Sequence, residues 1–222
     1  MTQKQLNNSD ELTTFLLRVY QFTIKNKIQI VSCLALILIV FSLSLGYRYY
    51  LNSSENRASA LLKQSKTKYE TSVTGKGPVD AYHYVEKDFQ AILDKYSGRN
   101  AGRIATVVFA DICYKAGDYD RAIALNEKAM QYFDNCSFKN LILSSLGYCY
   151  EEQKDYIKAA KYFEMIASRP DSTMKDQAYF NLGRLYTLTG NSEGSINAYK
   201  KIVSDYPDSI YIEIAKENLN GA

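Results

Sequence analysis

Between Ile28 and Tyr47 the chain reads IQIVSCLALILIVFSLSLGY, twenty residues without a charge and mostly Ile, Leu, Val or Phe. At about 1.5 Å rise per residue, a helix of this length spans about 30 Å, the thickness of a bilayer's hydrocarbon core. A buried core helix of that length normally carries a polar stripe, and this one has none. Lys25 and Lys27 flank one end, and Arg48, Tyr49 and Tyr50 flank the other, as interfacial anchors do. The pattern predicts a transmembrane helix over 28–47, with a tail over 1–27. A cleaved signal peptide is the competing reading, with Ser42-Leu43-Ser44 as a small-x-small site. A charged region of about 27 residues before the apolar run is long for a signal peptide.

On either side of this run the periodicity is helical. In the tail, Leu12, Phe15, Leu16, Val19 and Phe22 fall near one face behind Ser9 or Asp10 as a cap. That arrangement predicts a short amphipathic helix lying on the membrane. After the run, Ala58, Leu61, Leu62, Ser65, Tyr69 and Val73 recur at helical spacing, and Gly75-Lys76-Gly77-Pro78 breaks the helix. Residues 48–79 therefore read as a helical linker and loop. From Asp80 onward the chain is a series of amphipathic helices, and no stretch alternates as a strand does.

The helices repeat. Ala110, Gly147 and Gly183 align at intervals of 37 and 36, and Ala122, Ala159 and Ser195 align at the same intervals. Turn triplets separate them: Gly117-Asp118-Tyr119, Lys154-Asp155-Tyr156 and Gly190-Asn191-Ser192. Second helices end near Asp134, Pro170 and Pro207. A period in the mid-thirties with two helices per unit is the signature of a helical solenoid. The small residues allow the two helices of a unit to approach closely. Tyr150 and Tyr186 are read as filling the wedge between helices, and Phe163 and Tyr199 as the stacking face. A half-unit precedes the first repeat, because residues 89–98 parallel residues 199–208. A helix over 209–220 closes the end.

These residues resemble the tetratricopeptide repeat: Leu146-Gly147, Tyr150, Ala159, Phe163 and Pro170, then Leu182-Gly183, Tyr186, Gly190, Tyr199 and Pro207. The first unit departs from the pattern, with Ala110 for the glycine and Asn126 where an aromatic is expected. The resemblance covers about residues 80–220 and implies an all-α architecture, a transmembrane helix followed by a tetratricopeptide-like domain over 80–222. It also implies that first helices line a protein-binding surface. Counting from the small residues places Val107, Asp111, Tyr114, Ser144, Tyr148, Glu151, Phe180, Arg184 and Thr187 toward it. The carboxylate clamp of some family members is not reproduced, since Asp111, Tyr148 and Arg184 occupy the corresponding places.

Composition removes other classes of function. Residues 1–47 carry four Lys/Arg and two Asp/Glu, leaving 23 basic and 22 acidic residues beyond the run. That balance gives no electrostatic footprint for nucleic acid. Cys33 lies inside the apolar run, and Cys113, Cys136 and Cys149 form no C-x-x-C pair. His83 is the single histidine. No metal-ligand spacing, phosphate loop or nucleophile elbow occurs, so no enzyme, cofactor or metal is expected.

The layout as a whole resembles YfgM-type proteins, ancillary subunits of the bacterial Sec translocon. Phe15 to Lys27, Gly46-Tyr47-Arg48-Tyr49-Tyr50, Asp94-Lys95-Tyr96 and Gly117 to Ala122 carry the likeness. The resemblance implies a cytoplasmic N-terminus, a single span of the inner membrane and a periplasmic repeat domain. As partners it implies translocon subunits and a periplasmic chaperone. Charge does not set the orientation, with Arg18, Lys25 and Lys27 facing Arg48, Arg57, Lys63 and Lys66 across the run. An envelope-assembly scaffold is the alternative; the lipid-attachment cysteine of such lipoproteins is missing after the run. An unrecognised hydrolase is a further one.

Overall fold

A computed structural model describes residues 3–133, 137–170 and 173–221, and the described residues are helical with no strand. Cys136 and Asp134 lie outside them. Two compact units are present, residues 1–53 and residues 54–222.

The first unit holds α1 (Gln3–Lys25) and the start of α2 (Lys27–Tyr96). α1 is longer than the pattern predicts, so Ser9 and Asp10 lie inside it rather than capping it. Phe15, Leu16, Val19 and Phe22 are exposed; the side chain of Leu12 is outside the described set. The apolar run sits within α2, and its most apolar window buries nothing inside the protein. A helix this long, this apolar and this bare is a candidate membrane span by length and composition.

The second unit is the helical solenoid. α2 is interrupted at Gly77, whose φ of +80° and ψ of 171° are open to glycine and strained for other residues. The two arms on either side fold back on each other. Lys68 Nζ reaches Asp88 Oδ2 at 2.6 Å, and Lys68 also lies 4.1 Å above the Tyr84 ring. Ala58, Ser65 and Tyr69 of the first arm are buried with Tyr82, Val85, Phe89 and Ile92 of the second. The half-unit read from the sequence is thus completed by the helix that follows the apolar run. It packs directly on the first repeat, where the Phe89 and Phe109 rings stack at 5.0 Å.

Three helix pairs follow: α3 (Asn100–Lys115) with α4 (Tyr119–Met130), α5 (Ser137–Glu152) with α6 (Tyr156–Ala167), and α7 (Lys175–Leu188) with α8 (Ser192–Asp205). α9 (Ile212–Asn220) covers the end. The turn triplets share one geometry. Gly117, Lys154 and Gly190 take positive φ, and the next residue caps the second helix. Asp118 accepts from Arg121 N, Asp155 from Lys158 N and Asn191 from Gly194 N. Proline falls just past α6 and α8, as predicted, because it cannot continue a helical ladder.

α3 is capped differently. Arg99, at its N-terminus, offers no side-chain cap. Glu55 supplies one from the first arm, accepting from Asn100 N at 3.0 Å and from Ala101 N at 2.8 Å. A carboxylate on two free amides at a helix N-terminus satisfies them and complements the helix dipole. Glu55→Ala is expected to cost about 0.5–2 kcal/mol. Thermal unfolding monitored by circular dichroism checks it, and an unchanged midpoint would show that the contact contributes nothing.

Candidate functional site

The sequence places nine residues on the binding face, and the structure sorts them. Tyr148, Glu151 and Arg184 are drawn together between the second and third repeats. Tyr148 Oη accepts from Gln177 Nε2 at 2.9 Å and from Asn181 Nδ2 at 3.1 Å. Its ring meets Phe163 edge-on at 5.3 Å. Arg184 Nη2 donates to Glu151 Oε1 and Oε2 at 2.9 and 3.0 Å. A half-buried ion pair of this geometry ties α5 to α7 more than it offers charge to a ligand.

Five of the others are dispersed, and Val107 lines the cleft between α3 and α5. Ser144 is buried. Phe180 stacks on Tyr211, just before α9, at 4.5 Å. Thr187 is exposed, bonded to Gly183 O at 3.0 Å and paired with Ser195 Oγ at 2.8 Å. Tyr114 packs on Tyr119, and burial, reinforced by Glu152, pushes its hydroxyl pKa up to about 12. Asp111 is exposed and pairs with Lys115 on its own helix.

The open space lies beside Asp111. A cleft of about 390 Å³ runs between α3 and α5. Ile104, Val107 and Val108 wall it on one side, and Phe138 and Leu141 on the other. Asn126 and Ser145 form the polar floor, with Lys66 and Asp111 at the rim. Ile104, Phe138 and Leu141 are 39%, 44% and 47% exposed, large apolar side chains gathered around one opening. Val107 and Asp111 belong to the face read from the sequence; Ile104, Val108, Phe138 and Leu141 were not part of that reading. The signal for the rest was Asn126, which breaks the aromatic register of the repeat.

Asn126 is 1% exposed. Its Nδ2 donates to Ala122 O and to Ser145 Oγ, each at 2.9 Å, and its Oδ1 is buried with no hydrogen-bond partner. No group of three or more His, Cys, Asp or Glu able to hold a metal occurs among the described residues. Cys113 and Cys149 are free and buried, and burial pushes their thiols up to about 12 and about 11. A protonated buried thiol is a poor nucleophile.

Two outcomes follow for the thiols. A maleimide should leave Cys113 and Cys149 unmodified near neutral pH until the protein is denatured, which intact-mass measurement reads directly. In the unfolded chain a thiol ionises near 9, whereas the folded chain keeps both protonated higher. Their contribution to stability is therefore complete below pH about 9 and is lost as pH rises toward about 11–12. Urea midpoints that stay level from pH 9 to 11 would contradict this.

The comparisons fit this architecture. The model of the tetratricopeptide repeat-like domain family matches residues 21–220. No curated protein matches. Among solved structures, a tetratricopeptide repeat protein from Parabacteroides merdae aligns with a TM-score of 0.57 at 16% identity. The alignment covers 72% of this chain and 59% of that one. MamA from Desulfovibrio magneticus aligns with a TM-score of 0.52 at 17% identity, over 72% of this chain and 88% of that one. These likenesses establish the fold, and the family match across most of the chain establishes membership. The chain belongs to the tetratricopeptide repeat-like domain family.

Proposed function

We propose that this chain is a membrane-tethered protein-binding module that serves as an ancillary translocon subunit, linking secretion to periplasmic chaperones. In this reading its N-terminus is cytoplasmic, its apolar helix crosses a bacterial inner membrane once, and its repeat domain is periplasmic. Repeat domains of this family serve protein–protein interaction, and the observation that carries the reading is the open apolar cleft between α3 and α5. Exposed apolar side chains gathered in one place mark an interaction site. The binding face narrows to this cleft with Asp111 at its rim, while Tyr148, Glu151, Phe180 and Arg184 hold neighbouring repeats together. The translocon role draws its support from the resemblance carried by residues 15–27, 46–50, 94–96 and 117–122.

In this reading residues 1–50 do more than tether. Ser42 and Gly46 are four apart in the apolar helix, a small-xxx-small spacing that lets helices approach closely in lipid. Replacing residues 1–50 with an unrelated single-span anchor of the same orientation tests it. Crosslinking to translocon subunits is expected to fall while membrane localisation persists. Undiminished crosslinking would reduce the segment to a passive tether. A reporter fused after Ala222, active only outside the cytoplasm, tests the orientation.

A further inference from the structure

In the second and third repeats the second helix presents an aromatic ring to the glycine of the first helix. Phe163 covers Gly147 and Tyr199 covers Gly183, so tightly that a Cβ on either glycine would stand 2.6 Å from the ring. In the first repeat the same register carries Asn126, with Ala110 opposite. The two departures belong together. Ala110 bears the Cβ that the glycines lack, so a ring rooted at position 126 would not fit against it. The shorter Asn side chain leaves space unfilled, and the cleft opens over it.

The floor of the cleft is chemically one-sided. The N and O of the Asn126 carboxamide are told apart by their partners, because Ala122 O is an acceptor only and Nδ2 donates to it at 2.9 Å. Oδ1 is then the atom left over, and it is buried without a partner. A buried acceptor with no donor is costly, and a ligand that supplies the donor recovers that cost. Charge does not select the ligand, since Lys66 pairs with Glu70 and Asp111 with Lys115 at the rim.

We infer that the cleft receives a tryptophan or tyrosine side chain presented by a partner polypeptide. The ring enters the cleft above the short Asn126 side chain, between Ile104 and Val108 on α3 and Leu141 on α5. The indole N–H or phenol O–H donates to Asn126 Oδ1. That atom is covered in the empty cleft, so the carboxamide tilts to meet the entering donor. Leucine or phenylalanine fills the space and leaves the acceptor unmet. Lysine brings a donor but carries its charge among apolar walls, where the one rim carboxylate, Asp111, already pairs with Lys115, which is costly. Tryptophan and tyrosine combine an apolar body with a polar tip and are the side chains most often dominant at interfaces. The inference rests on the reading of the cleft as the partner site.

The full chain in detergent micelles is titrated with blocked tripeptides Ac-Ala-X-Ala-NH2, where X is Trp, Tyr, Phe or Leu. The protein has no tryptophan, so the fluorescence of the Trp peptide reports its own binding and displacement by the others. Trp and Tyr peptides are expected to bind about fivefold more tightly than Phe, the ratio one neutral hydrogen bond supplies, with Leu weakest. In Asn126→Leu that advantage should vanish. In Leu141→Arg, at the exposed rim, all binding above the micelle background should be lost. A Phe or Leu peptide binding as tightly as Trp would overturn the inference. So would an unchanged ratio in folded Asn126→Leu, or full Trp binding in Leu141→Arg. Should Asn126→Leu fail to fold, the wild-type ratio and Leu141→Arg decide it. Loss of the Trp preference with translocon crosslinking intact sinks this inference alone; the reverse pattern sinks the translocon role alone.

Discussion

Gly183→Leu is expected to lower the melting temperature by about 3–10 °C, from an overpacking cost of about 1–3 kcal/mol or more and the usual sensitivity of a domain this size. The cause is local and steric. A Cβ at Gly183 would lie 2.6 Å from Cε1 and Cζ of Tyr199, and Tyr199 is buried in the cluster that includes Ile202 and Ala215. Tyr199 is 3% exposed, so displacing its ring strains the packing of the third repeat. Gly183→Ala should show a smaller loss of the same origin, and combining it with Tyr199→Leu should recover part of it. Additive effects in that pair would mean that Gly183 does not meet Tyr199 in solution.

Tyr148→Ala is expected to cost about 2–4 kcal/mol and to lower cooperativity between the second and third repeats. The substitution removes a half-buried ring from the Phe163 contact and leaves two donors, on Gln177 and Asn181, without their acceptor. Asn181 is 2% exposed, so water cannot replace the lost oxygen without opening the interface. Arg184→Ala should be milder, because the Glu151 carboxylate it abandons is partly solvated. Urea denaturation followed by circular dichroism separates the two. If both variants keep the wild-type midpoint, the residues are surface contacts after all and belong to the binding face.

The contrast shows where sequence reasoning ended. The repeat was legible because its causes are local and periodic: close helix approach needs a small residue, the turn needs positive φ, and the next residue must cap. Those demands recur as Gly147 and Gly183, as Gly117, Lys154 and Gly190, and as Asp118, Asp155 and Asn191. The first arm of the hairpin was legible as a helix but not as part of the solenoid. It lacks the turn triplet, and its partner is reached through Gly77 instead. Its capping of α3 through Glu55 joins residues 45 and 46 positions apart, which no local pattern encodes.

The candidate binding face was legible only as a register. Counting from the small residues assumes that every repeat presents the same positions to a ligand. Tyr148 and Arg184 do lie at those positions, yet long-range hydrogen bonds to the neighbouring repeat occupy them. Asn126 carried the more useful signal. A polar residue in place of the aromatic marks where the repeat stops filling its own core, and the cleft is there.

Photocrosslinking in cells asks whether the cleft between α3 and α5 docks a protein partner. A photoreactive residue is placed at Leu141, in the cleft, and separately at Ile157, which is exposed on α6. Adducts with a translocon subunit or a periplasmic chaperone are expected from position 141. They should be absent from position 157 and lost when Ile104→Arg closes the opposite wall. Adducts of equal yield from both positions, or none from position 141 while the protein remains folded and membrane-bound, would contradict it.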